Sequence, residues 1–139
     1  MADSVIKFRS GYKYQLVEDH KTKTDIKPQK DFNDHFLSLN TNGELTVKAG
    51  YAWDGTSGPV IDTDCNLRAS LVHDAFYQLM RNRAIPAYKY KVRADKLFRR
   101  MCKEDGTPSI IAQIYYEALK KLGKPSTDPK GGEKIRHAP

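Results

Sequence analysis

The chain has 139 residues, which fits one domain able to bury a real core, so it does not depend on disulfide staples. Lys and Arg total 24 against 17 acids, a net charge of +7 that favours anionic partners: phospholipid, nucleic acid or an acidic protein. Two cysteines exclude a disulfide scaffold, and no apolar run approaches the roughly 18 residues of a membrane-spanning helix.

Residues 5–50 read as an antiparallel β unit. Tyr12 to Val17 is a strand candidate, and Phe36–Leu39 and Leu45–Val47 flank Asn40-Thr41-Asn42-Gly43, where Asn-Gly between β-prone runs signals a hairpin. The polar stretch from Thr24 to Asp34, with Pro28, is expected to be irregular. Residues 50–64 form a Gly-rich loop, expected to hold no regular structure. Gly50, Gly55, Gly58 and Pro59 break it, and it carries the one tryptophan, Trp53. Asp62 and Asp64 then offer a helix N-cap.

Three helices follow over 66–123. Residues 66–81 put Leu67, Leu71, Val72, Ala75, Phe76, Leu79 and Met80 on one stripe, and residues 91–104 do the same with Ala94, Leu97, Phe98 and Met101. The third helix opens at Thr107-Pro108 with Thr as N-cap. It runs through Ile110, Ile111, Ile114, Tyr115, Ala118, Leu119 and Leu122 and ends at Gly123. Cys65, at the start of this helical segment, and Cys102 within it read as buried free thiols. Residues 124–139 are expected to form a disordered basic tail. The fold class is therefore α+β, a single domain over 1–123. The N-terminus Met1-Ala2-Asp3-Ser4 lacks a signal-peptide pattern, so a soluble cytoplasmic protein that stays in the cell that makes it is expected.

One polar doublet interrupts the first apolar stripe: His73-Asp74, with Tyr77 one turn on. Burying either group without a partner costs several kcal/mol, roughly 2–7 for a neutral polar group, so the doublet demands partners. On a helical wheel of about 100° per residue, His73 flanks its stripe and Asp95 flanks the next helix's stripe. Packed antiparallel, the two can hydrogen-bond, the carboxylate fixing the imidazole so that its other nitrogen takes a proton from water. Tyr77, Tyr88 or Tyr90 could orient the acid. Asp74 points toward the Gly-rich loop. With Asp54 and the carbonyls of Trp53, Gly55 and Ser57 it could hold a hard cation such as Ca²⁺. The alternatives are structural: a His73–Asp95 bond that locks two helices, Asp74 paired with Arg81 or a lysine, Asp54-Gly55 in a tight turn, Tyr51 and Trp53 as core anchors. His20, His35 and His137 lie in polar surroundings without metal-ligand spacing.

The run Gly50-Tyr51-Ala52-Trp53-Asp54-Gly55-Thr56-Ser57-Gly58-Pro59, then His73-Asp74-Ala75-Phe76-Tyr77, then Ala94-Asp95-Lys96-Leu97-Phe98, resembles an uncharacterised domain family common in phages and prophages. That resemblance carries no assigned activity. A more distant one is to secreted phospholipase A2, with its Gly-rich calcium loop, His-Asp-x-Cys-Tyr helix and Asp on an antiparallel helix. It implies that His73 activates water, Asp74 and the loop hold Ca²⁺, Asp95 pairs with His73, and Tyr77 supports Asp95. Phe76 stands where those enzymes carry a cysteine. The function expected is a phage-type accessory protein with a phospholipase A2-like lipid ester hydrolase site. The alternatives are a metal-dependent phosphoesterase on His73-Asp74, and a non-enzymatic protein binding a host or phage protein.

Overall fold

The computed structural model describes residues 6, 8–9, 14–55, 63–123 and 127–128. The chain divides into two compact units, Met1–Gly55 and Thr56–Pro139. Of the expected tail 124–139, only Thr127 and Asp128 fall among the described residues.

The first unit holds two antiparallel sheets. One has the order β1–β2–β7, from β1 (Phe8–Arg9), β2 (Tyr14–Leu16) and β7 (Ala52–Trp53). The other has the order β3–β6–β5–β4, from β3 (His20–Lys23), β4 (Phe32–Asn33), β5 (Leu37–Leu39) and β6 (Glu44–Val47). The expected hairpin joins β5 to β6, pairing Leu39 with Leu45. Gly43 takes φ 85°, and a Cβ there would lie 2.2 Å from the Thr24 carbonyl oxygen, so glycine is required twice over.

Three strands depart from expectation. β7 lies inside the loop read as irregular. Leu16 N–H donates to the Tyr51 carbonyl, Gly50 N–H to the Leu16 carbonyl, and Tyr14 faces Trp53, because the edge of β2 supplies partners for this backbone. β4 lies within the stretch expected to be irregular. β3 escaped notice because its alternation is polar: His20 and Thr22 are buried while Lys21 and Lys23 are exposed. His20 is thus buried, which its polar sequence neighbours did not suggest. Leu16, Ile26, Leu37, Leu39, Leu45, Val47, Tyr51 and Trp53 are buried in this unit.

The second unit is three helices: α1 (Leu67–Arg81), α2 (Ala87–Glu104) and α3 (Ser109–Leu122). Every residue of the expected α1 stripe is buried, as are Ala94, Leu97, Phe98 and Met101 of α2. α1 and α2 run antiparallel. Buried Arg68 at the start of α1 grips the end of α2, with Nε 2.9 Å from Asp105 Oδ2 and Nη2 3.0 Å from Glu104 Oε1.

The helix ends differ from the sequence reading. Asn66 occupies the α1 N-cap without a side-chain cap bond; Asp64 is exposed and Asp62 lies outside the described residues. Cys65 sits in the turn before α1, while Cys102 is buried in α2. α2 begins four residues earlier than expected, immediately after Pro86, whose fixed φ and missing N–H suit a helix start. In α3 the N-cap is Pro108, and Thr107 Oγ1 donates instead to the Cys65 carbonyl at 3.2 Å. The buried face of α3 is Ala112, Tyr116 and Leu119, while Ile110, Ile114 and Leu122 are exposed. Its apolar arc is wider than the face packed on α2, so part of it meets solvent.

Candidate functional site

Two i,i+4 pairs on facing helices build the site. On α1, His73 and Tyr77 lie one turn apart, with ring centroids 4.0 Å from each other. On α2, Lys91 and Asp95 have the same spacing, and Lys91 Nζ stands 2.7 Å from Asp95 Oδ2. Antiparallel packing brings the pairs together. His73 Nε2 lies 2.8 Å from Asp95 Oδ1, and the Tyr77 hydroxyl donates to the same oxygen at 2.5 Å. Lys91 Nζ also donates to the Leu119 carbonyl at 3.0 Å, so α3 is tied in. Phe98 closes edge-on over the imidazole, with centroids 5.2 Å apart.

Asp95 has no exposed surface at all. Burial alone pushes its carboxyl up. The hydrogen bond and charge of His73, with the hydrogen bonds of Lys91 and Tyr77, outweigh that and hold it below the ordinary carboxylate value. Asp95 is therefore ionised and can only accept, so the proton on its bond to His73 belongs to Nε2. Nδ1 of a neutral His73 then carries the lone pair, and no described residue bonds it. Burial first, then the charge and hydrogen bond of Asp95, push the Tyr77 phenol well above its ordinary value, so it stays a donor. The Cys102 thiol is pushed up to about 12, by burial and then the Asp105 charge, against weaker opposite pulls from Thr107 and Arg68. It is protonated at neutral pH and no nucleophile.

The structure thus gathers His73, Tyr77 and Asp95 from the residues singled out in the sequence. Tyr88 is 92 % exposed and takes no part, and both it and Tyr90 lie in α2 rather than in a loop. Asp74 is half-buried and engaged with a partner. Trp53, Asp54 and Gly55 belong to the other unit. Trp53 is buried beside Tyr14, Asp54 is exposed, Gly55 is buried at φ 89°, and Ser57 lies outside the described residues. Among the described residues no three His, Cys, Asp or Glu stand where they could hold a metal together.

Two residues were missed. Lys91 sits four before Asp95 inside the expected helix 91–104, so the i,i+4 spacing was the signal that could have found it. Gly123 was read as a helix stop. Its φ of −83° needs no glycine, yet an added Cβ would lie 2.5 Å from the Tyr77 hydroxyl oxygen. It is the missing side chain, not backbone freedom, that makes room for the tyrosine.

No curated protein and no solved structure matches the chain. A family described as protein of unknown function, DUF1353, matches residues 33–119, a span that includes His73, Tyr77, Lys91 and Asp95. That span is more than half of the chain, which therefore belongs to the DUF1353 family.

Proposed function

We propose that His73 and Asp95 form a general-base dyad for hydrolysis of a lipid ester, in a phage-type accessory protein. The observation that carries the reading is the 2.8 Å Nε2–Oδ1 contact to an ionised, fully buried carboxylate, which leaves Nδ1 as the proton acceptor. Nδ1 takes a proton from water as the water oxygen bonds to the ester carbonyl carbon. Asp95 steadies the resulting imidazolium. As the carbon–oxygen bond to the alcohol breaks, Nδ1–H returns the proton to the leaving oxygen, giving an acid and an alcohol. Tyr77 and Lys91 hold the carboxylate in place through both steps.

Calcium belongs to the proposal and not to these steps. Asp74 would supply its carboxylate. A hard cation takes oxygen donors of this kind, and it would stabilise negative charge on the substrate oxygen. The phage setting rests on the sequence motifs alone.

A second reading is structural, and the 3.0 Å bond from Lys91 to the Leu119 carbonyl favours it, because the same cluster joins all three helices. Fatty-acid release from mixed phospholipid vesicles, with Ca²⁺ or with chelator, separates the two. The dyad reading expects release by the wild type and at least a 100-fold loss in a folded His73→Asn variant, about the size of a lost general base. No release by the wild type under either condition sinks it and leaves the structural reading. Asp74→Ala abolishing a Ca²⁺ response supports the cation.

A further inference from the structure

The solvent side of α2 carries Lys89, Arg93, Lys96, Arg100 and Lys103 at alternating steps of four and three residues. At about 100° and 1.5 Å per residue this spacing places all five within an arc of about 80°, in a row about 21 Å long. All five are exposed. Lys89 and Arg93 flank the Tyr90 ring at 5.4 and 5.9 Å, and Arg100 meets Glu104 only at 3.5 Å. Lys96 and Lys103 have no ion-pair partner among the described residues. Like charges one turn apart oppose helix formation, and the acids of α2 offset them little: Asp95 is engaged by His73, Tyr77 and Lys91, and Glu104 is shared between Arg68 and the ridge residue Arg100.

We infer that this ridge binds the phosphate backbone of a nucleic-acid duplex. A strand of B-form DNA presents one phosphate per about 3.4 Å of axis, so a row of about 21 Å faces roughly six phosphates with five cations. A membrane surface fits less well. Tyr90, Ala94, Leu97, Phe98 and Met101 are buried inside the unit, so α2 has no continuous apolar face to insert. Its exposed Tyr88 and Val92 stand beside the arc. Contacts to phosphates position a protein on a duplex without reading its sequence, so the binding inferred is sequence-independent. The inference stands apart from the hydrolase reading, since no ridge residue belongs to the His73 cluster.

The test is fluorescence anisotropy of a labelled 20-base-pair duplex with the full chain over a range of salt. Five phosphate contacts predict a log–log salt slope of about −4.5 and an affinity loss of about 500-fold from 50 to 200 mM salt. Replacing all five by glutamine removes binding, with the fold checked by circular dichroism. Replacing Lys21, Lys23, Lys27, Lys30 and Lys121 by glutamine, an equal loss of charge, leaves it in place. Equal loss in both variants overturns the inference, because net charge alone would then explain binding. Ridge-dependent binding to phosphatidylglycerol vesicles without duplex binding overturns it in favour of a membrane.

Discussion

At the scale of single residues, Asp95 is the hub of a buried polar cluster in the helical unit, bonded by His73, Tyr77 and Lys91. Asp95→Ala removes a buried anion and strands the Lys91 ammonium, whose side chain is only 13 % exposed, together with two further donors. Breaking a buried pair from one side costs about 3–5 kcal/mol, to be read as a fall in the urea midpoint. Tyr77→Phe removes one hydrogen bond to a charged acceptor and costs about 1.5–3 kcal/mol by the same measurement. The pH dependence follows from the two shifts. The folded Asp95 pKa lies below its unfolded value of 3.8, so its contribution is fully present above that value and disappears as pH falls through the folded pKa. Tyr77 lies above its unfolded value of 10.0. Beyond that pH the unfolded chain sheds a proton that the fold retains, and stability falls as pH rises further. Urea midpoints across pH should therefore slope at both ends, with the alkaline slope reduced in Tyr77→Phe. The His73–Asp95–Tyr77 cluster was legible because i,i+4 spacing and helical phase are sequence properties. The Lys91–Asp95 pair is an i,i+4 spacing inside the expected helix and was equally open to reading, whereas the Leu119 carbonyl was not, since its place depends on how α3 packs.

At the scale of elements, the apolar helices were readable and the polar strands were not. The α1 stripe is an unbroken 3.6-residue pattern, and burial followed it residue for residue. β3 buries His20 and Thr22, so its period of two is invisible to a hydrophobicity count. β7 exists because β2 offers an open edge, a fact stored in Tyr14–Leu16 rather than in the Gly-rich run itself. The junction of α1 with the end of α3 yields a prediction of its own. Gly123→Ala puts a methyl 2.5 Å from the Tyr77 hydroxyl and 2.7 Å from the Leu119 carbonyl oxygen. Overpacking of this kind costs about 1–3 kcal/mol. The loss, measured by thermal unfolding, should be smaller in a Tyr77→Phe background, because one of the two clashing oxygens is gone. In α2, Lys96→Gln with Lys103→Gln should stabilise the fold slightly, since each like-charge pair relieved returns about 0.2–0.5 kcal/mol.

At the scale of the whole molecule, the +7 charge is spread along the sequence, yet five of its cations line one face of one helix. Composition suggested an anionic partner without placing it. Helical phase gathers these cations into one row, and only once α2 is seen to begin at Ala87 and so to include Lys89. No helix among the described residues is long and apolar enough to cross a membrane. The central claim is that one ionised carboxylate, shared by His73, Tyr77 and Lys91, ties three helices together and presets His73 as a base. Nitrogen-15 NMR of the His73 ring in the intact protein tests it most directly. The account predicts that the neutral form of the imidazole carries its proton on Nε2 and leaves Nδ1 bare, with Asp95→Asn disturbing that preference. A ring protonated at Nδ1 instead, or one indifferent to Asp95→Asn, would contradict it.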